Sequence, residues 1–192
     1  MTTERRNLWL AIAAVALGQA AVLGWMIWDR TSLLANGREV VLEVIPVDPR
    51  SLFRGDYVIL GYDISRYKLP PGTTPPKRND AFYITLRKGE GDKWQPVAGS
   101  TEQPADVKPD EAVIRGRVEY VYDPPRDEPP GTMVNLHYGI ESFFVPEGTG
   151  RELEKMVGEK KISAVIAIDD SGTAAIKGLM SEGQRVYDEP LL

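Results

Sequence analysis

Cysteine is absent from the 192 residues, and histidine occurs once, at position 137. The first absence excludes disulfide staples, thiolate nucleophiles and iron–sulfur clusters. The second argues against a zinc site, which usually draws on several His or Cys ligands. A Ser-His-Asp triad would depend on His137 alone, and no serine lies in a Gly-x-Ser-x-Gly elbow. No Gly-rich phosphate loop follows a strand pattern. Positive charge is also short: 23 Lys and Arg stand against 28 Asp and Glu, for a net charge of −5. No Lys/Arg cluster of the kind that neutralises phosphates is expected, so nucleic acid is not expected as a partner. No catalytic residue, metal or cofactor is expected, and His137 reads as a structural residue.

Residues 8–28, LWLAIAAVALGQAAVLGWMIW, are uncharged throughout, and Gln19 is their only strongly polar member. At ~1.5 Å per residue a helix crosses a ~30 Å hydrocarbon core in about 20 residues. Trp9 lies at one end and Trp25 and Trp28 at the other, where amphipathic rings favour the interfaces. Arg5 and Arg6 precede the run, whereas Asp29 and Arg30 cancel beyond it, so the Lys/Arg bias places the N-terminus in the cytoplasm. A cleaved signal would need an apolar region of only ~7–15 residues, and this run continues well past that. The expectation is a cytoplasmic tail at 1–7, a transmembrane anchor at 8–28, a juxtamembrane helix or linker at 29–37 and an exported domain at 38–192. The location is then the inner or plasma membrane, crossed once. Ala16, Ala20 and Gly24 recur every fourth residue, and with Gln19 they suit close pairing with a helix of a polytopic integral membrane protein.

After the anchor, 15 Pro and 18 Gly in the whole chain punctuate short β-branched segments. Strands are predicted at 38–47, 57–65, 112–122 and 132–138. Hairpins are predicted at 81–98, across Gly89–Asp92, and at 162–180, across Asp169–Gly172. Residues 66–80, with four prolines, read as a long loop, and Asn36-Gly37 as a helix stop with Gly37 left-handed. Along 112–122, Val118, Tyr120 and Tyr122 share one side by simple alternation. Arg151–Glu159 reads as one short helix. The fold class is mainly β: a compact antiparallel β-sandwich or barrel with one short helix, preceded by one transmembrane α-helix.

The most distinctive string is Gly55-Asp56-Tyr57-Val58-Ile59-Leu60-Gly61-Tyr62. Strand alternation puts Asp56, Val58, Leu60 and Tyr62 on one face and Tyr57, Ile59 and Gly61 on the other, and the two tyrosines need partners for their hydroxyls if buried. Asp56 suits a turn beside Gly55, accepting bonds from loop amides. The flanking loop carries Asp48, Arg50 and Arg54. A second string, Tyr138-Gly139-Ile140-Glu141-Ser142-Phe143-Phe144-Val145-Pro146-Glu147-Gly148, sets Glu141 among apolar neighbours. Such a carboxylate faces solvent or finds a cation, and Arg50 or Arg54 would serve. The two strings are therefore expected to face each other. Glu147 precedes the short helix, where Thr149 and Glu152 form a capping box and a carboxylate is favoured.

Both strings, in order and behind an N-terminal anchor, resemble the bacterial GDYXXLXY family. Gly55, Asp56, Tyr57, Leu60 and Tyr62 fill all five defined positions of its signature. The resemblance implies a membrane-anchored exported protein associated with polytopic membrane proteins, and it implies no particular reaction.

The expected function is therefore an exported binding or accessory domain acting with another membrane protein. The motif surface proposed for it is Asp48, Arg50, Arg54, Asp56, Tyr57, Tyr62, Tyr138, Glu141 and Glu147. The rival is a cell-envelope hydrolase pairing Asp56 with Glu141 or Glu147 as acid and base. A third reading is a binding domain for a small envelope ligand on a tyrosine-rich surface.

Overall fold

The computed structural model describes residues 3–45, 57–89, 92–123, 131–144, 159 and 162–189. One helix, α1 (Thr3–Asn36), takes in the whole apolar run and continues two turns beyond it. From Trp9 onward it is long and apolar enough to cross a membrane, and none of its most apolar stretch is buried against the rest of the chain. Its last turn is different. Leu33 and Leu34 are buried against Ala167 and Ala175. Gly37 ends the helix by donating its N–H to the Leu33 carbonyl at 2.8 Å. Its φ is not left-handed, contrary to the sequence expectation. Glycine is needed there for space: a Cβ would sit 2.5 Å from the Leu33 oxygen and 3.0 Å from the Ala167 side chain.

Two five-stranded antiparallel sheets follow. The first comprises β1 (Arg38–Ile45), β3 (Gly61–Tyr62), β10 (Ile162–Ile168), β11 (Ala174–Ser181) and β12 (Gln184–Asp188), in the order β12-β11-β10-β1-β3. The second comprises β4 (Arg66–Lys68), β5 (Ala81–Lys88), β6 (Trp94–Ser100), β7 (Glu111–Tyr122) and β8 (Met133–His137), in the order β4-β8-β7-β5-β6. A separate two-stranded ladder joins β2 (Tyr57–Ile59) to β9 (Ser142–Phe144). The inward faces of both sheets supply one core, including Val40, Leu42, Phe82, Ile84, Ile114, Leu136, Ile166 and Ile176. The antiparallel, mainly β reading of the sequence is what the chain adopts.

Both predicted hairpins form. Asp169 closes one as an Asx turn, its Oδ1 accepting the N–H groups of Ser171 and Thr173 at 2.9 Å each. Four details depart from expectation. The strand expected at 57–65 is broken: Asp63–Ser65 form a 3-10 turn after β3. The supposed loop 66–80 begins with β4, which β8 recruits by pairing Arg66 with Asn135. β12 carries no signal strong enough to have been predicted. Finally, the register of β7 against β8 skips Glu119, a bulge that sends Tyr120 outward, 52% exposed, and turns Val121 toward the core. The expected side shared by Val118 and Tyr120 therefore does not exist. The short helix at 151–159 lies outside the described residues apart from Glu159.

Candidate functional site

The two distinctive strings do meet. In the β2–β9 ladder Tyr57 pairs with Phe144 and Ile59 with Ser142. The Leu60 N–H donates to the Glu141 carbonyl at 2.9 Å, and Leu60 itself is buried. Two buried tyrosines then cross between the segments. Tyr62 donates its hydroxyl to the Ile140 carbonyl at 2.9 Å, and Tyr138 donates to the Ile64 carbonyl at 2.6 Å. Each hydroxyl thus finds a backbone acceptor in the other segment, as burial demands. Burial pushes both phenols well above their usual pKa of 10.0, and the nearby Glu141 charge adds to the effect. Gly116 on β7 makes room for the Tyr138 ring, since a Cβ there would lie 2.9 Å from it.

Glu141 finds local partners. Its carboxylate accepts the Tyr138 N–H at 2.6 Å and the Gly139 N–H at 2.9 Å. Its Oε2 also lies 3.2 Å from His137 Nε2. Gly139, at φ 83°, permits the tight turn that aims these amides back at it. The expected partners Arg50 and Arg54, and also Asp48, Asp56 and Glu147, lie outside the described residues. Tyr62, Tyr138 and Glu141 are brought together, but as a structural clasp: both tyrosines are buried rather than offered on a surface. His137 is half-exposed instead of packed in the core.

Beside this clasp lies a feature that no stretch of the sequence announces. The outward face of the second sheet gathers cations from separate strands. Register places Ala81, Arg117 and His137 in one row across β5, β7 and β8. Tyr120, Asn135 and Arg66 form the next row across β7, β8 and β4. Arg115 precedes Arg117 on the same side, and Lys68 follows Arg66. At the edge, Asn79 adopts a left-handed turn (φ 71°) and donates its N–H to the Val118 carbonyl, positioning Arg78 beside the row. Two open grooves cross this face, of about 580 and 620 Å³, and they share Asn79, Arg117 and His137. Arg115 bonds Thr173 Oγ1 at 3.2 Å. Among the described residues Arg66, Arg78 and Arg117 have no side-chain partner.

Chemically, the face presents guanidinium, imidazole and amide groups able to hold an anion. Neither groove is lined by serine, threonine or cysteine among the described residues. The Tyr138 hydroxyl is already committed to Ile64. Among the described residues no group of three or more His, Cys, Asp or Glu could hold a metal ion. The cations were missed because they lie far apart in the chain. The available signal was alternation: Arg115 and Arg117 flank Gly116, so both must leave the core face.

No curated protein and no solved structure matches the chain. The sequence profile described as "GDYXXLXY protein" matches residues 19–179, from the middle of α1 through most of β11. That match covers both clasped segments and most of the chain, which therefore belongs to the GDYXXLXY family.

Proposed function

We propose that the protein is a single-pass membrane-anchored accessory module, with its β domain exported and working beside a polytopic integral membrane protein. The observation that carries this reading is the contrast within α1. Trp9, Leu10, Ile12, Val15, Leu17, Val22, Leu23 and Ile27 lie on all sides of the helix and stay exposed, so the rest of the chain leaves its surface to be covered by lipid or by another helix. The last turn, by contrast, is seated on the domain through Leu33 and Leu34. Orientation follows from Arg5 and Arg6 before the span. Ala16, Ala20, Gly24 and Gln19 lie on the uncovered part of the helix and would form the contact with the partner. Nothing within 4 Å would obstruct a Cβ at Gly24, so that side is open. The hydrolase reading loses support because the Glu141 carboxylate is already held by two amides.

The test is affinity purification of the full chain after extraction in a mild non-ionic detergent. A polytopic membrane protein in stoichiometric amount is expected, and it should be lost when Ala16, Ala20 and Gly24 are replaced by leucine. Recovery of the chain alone, or of a partner indifferent to those changes, would overturn the proposal.

A further inference from the structure

We infer that the outward face of the second sheet binds an anionic glycan, a sugar chain bearing carboxylate or phosphate groups, across Arg66, Arg78, Arg117 and Tyr120. The inference stands apart from the membrane-partner reading, because it rests on a different surface.

Charge supplies the first argument. The protein is acidic overall, yet on this face three arginines stand without a side-chain partner among the described residues. In the β domain the other described arginines are occupied: Arg87 with Glu111 and Asp110, Arg185 with Glu39 and Asp188, Arg115 with Thr173, and Arg38 with the Pro109 carbonyl and the Trp94 ring. A free guanidinium presents a planar fork that matches carboxylate or phosphate oxygens bidentately. Neighbouring strands lie ~4.8 Å apart and alternate residues of one strand ~6.6 Å apart. The cations therefore form a ladder rather than a single pocket. Two open grooves that share Arg117 and His137 extend that ladder into a track suited to a chain of repeating units.

The lining selects among anionic partners. A protein partner docked by strand addition or by an apolar anchor would need an open strand edge or an apolar pocket, and an acidic peptide would use the arginines alone, leaving the exposed Tyr120 ring without a role. β7 and β8 are paired on both sides, and the edge strand on this side, β4, is only three residues long, too short to template an added strand. The groove shared with the clasp is lined mainly by polar or charged residues and glycine, with Ala81 and Tyr138 the exceptions, and the second groove sets Arg78, Arg117 and His137 against one carboxylate, Glu119, beside Val118, Tyr120 and Val121. Tyr120, turned outward by the bulge, offers an exposed ring with Tyr122 at 5.7 Å, a surface on which a sugar ring can stack. Anionic lipid is also disfavoured. The end of α1 is bordered by Asp29, Asp169 and Asp170, which repel it. Arg115 bonds the residue just after that turn. Arg117 and Tyr120 lie two and five residues further along β7, roughly 7 and 17 Å on, so Arg117 stays within a screening length of about 8 Å of that acidic end and Tyr120 lies beyond it.

The experiment is titration calorimetry on the full chain in non-ionic detergent micelles at low and moderate salt. Trigalacturonate represents sugar carboxylates and glucose 6-phosphate represents sugar phosphates. Fully methyl-esterified trigalacturonate and hexaglutamate are the neutral and peptide counterparts. At least one of the two anionic sugars should bind saturably, more weakly as salt rises. Esterification and Arg117→Ala should each weaken binding at least about tenfold. Lys88→Ala, at the far end of β5 from the grooves, should leave it unchanged. The thermal midpoint of Arg117→Ala should stay within about 2 °C of the parent, showing that the fold is intact. A Tyr120→Ala variant provides a second reading of the same surface and should also weaken binding. The proposal is overturned if neither anionic sugar binds, if the ester binds as well as the acid, if hexaglutamate binds more tightly than both sugars, or if a folded Arg117→Ala protein binds normally.

Discussion

The two sheets share a core but treat their outward faces in opposite ways. On the first sheet, charge is cancelled where it arises. Glu39 is bridged by Lys177 and Arg185, each at 2.8 Å, and Glu43 by Lys93 at 2.9 Å. The rest of that face is built small: Ala167 and Ala175 are cross-strand partners, and together they seat the end of α1. On the second sheet, Arg66, Arg78 and Arg117 have no side-chain partner among the described residues, and Glu119 is the one carboxylate lining the groove of the last two. Like charges gathered on one surface repel and add nothing to folding stability. The difference teaches that the first face was closed for stability, whereas the second was left open at some cost to it.

The largest expected effect comes from disturbing the closed face. Ala167→Leu forces a branched side chain between β10 and Leu33, a form of overpacking that should cost about 1–3 kcal/mol. Denaturant unfolding of the full chain in detergent would measure it. A loss below about 0.5 kcal/mol would mean that the helix end is not seated as described. Next is the clasp. Tyr62→Phe strands the Ile140 carbonyl and should cost about 0.5–1.5 kcal/mol by the same measurement. Alkaline pH reads the same two tyrosines. The unfolded chain releases these protons near pH 10.0, whereas the folded chain holds them. Stability is therefore full below pH 10 and falls as pH rises above it. Thermal midpoints across that window, followed with phenolate absorbance, should show Tyr62 and Tyr138 titrating only as the protein unfolds. The smallest effects carry the comparison itself. Glu39→Gln should cost about 0.2–1 kcal/mol, because it breaks exposed pairs. Arg117→Ala should fall within about 0.5 kcal/mol of zero or stabilise slightly. If Arg117→Ala cost more than Glu39→Gln, the distinction between closed and open faces would fail.

Local rules made much of this legible. Alternation and turn residues located most of the strands, and the need of a buried Tyr62 for a hydroxyl partner is met by Ile140, whereas the matching bond of Tyr138 to Ile64 was not expected. What escaped was settled by pairing between distant segments. Three residues between a 3-10 turn and a proline-rich stretch become β4 only because β8 offers an edge to Arg66–Lys68. A bulge at Glu119 cannot be read from composition, yet it decides which way Tyr120 points. Glu141 was expected to seek an arginine from another loop. The nearer answer was two amides and an imidazole within four residues, made reachable by Gly139. The open face was hidden for the same reason, since its cations come from positions 66, 78, 115 and 117 and only the sheet assembles them.

The position of β1 sets a constraint on biosynthesis. It is made before every other strand of the two sheets, yet Arg38 must await Ile168, 130 residues later, to complete its pairing. Until then β1 lacks the neighbour on that side, and the end of α1 lacks the alanines on which it rests. Nascent chains interrupted before residue 162 would expose an unpaired β-branched strand of the kind that aggregates. Completion of this sheet is thus tied to synthesis of β10, and chains interrupted before it should be cleared by quality-control proteases rather than accumulate as partly working fragments.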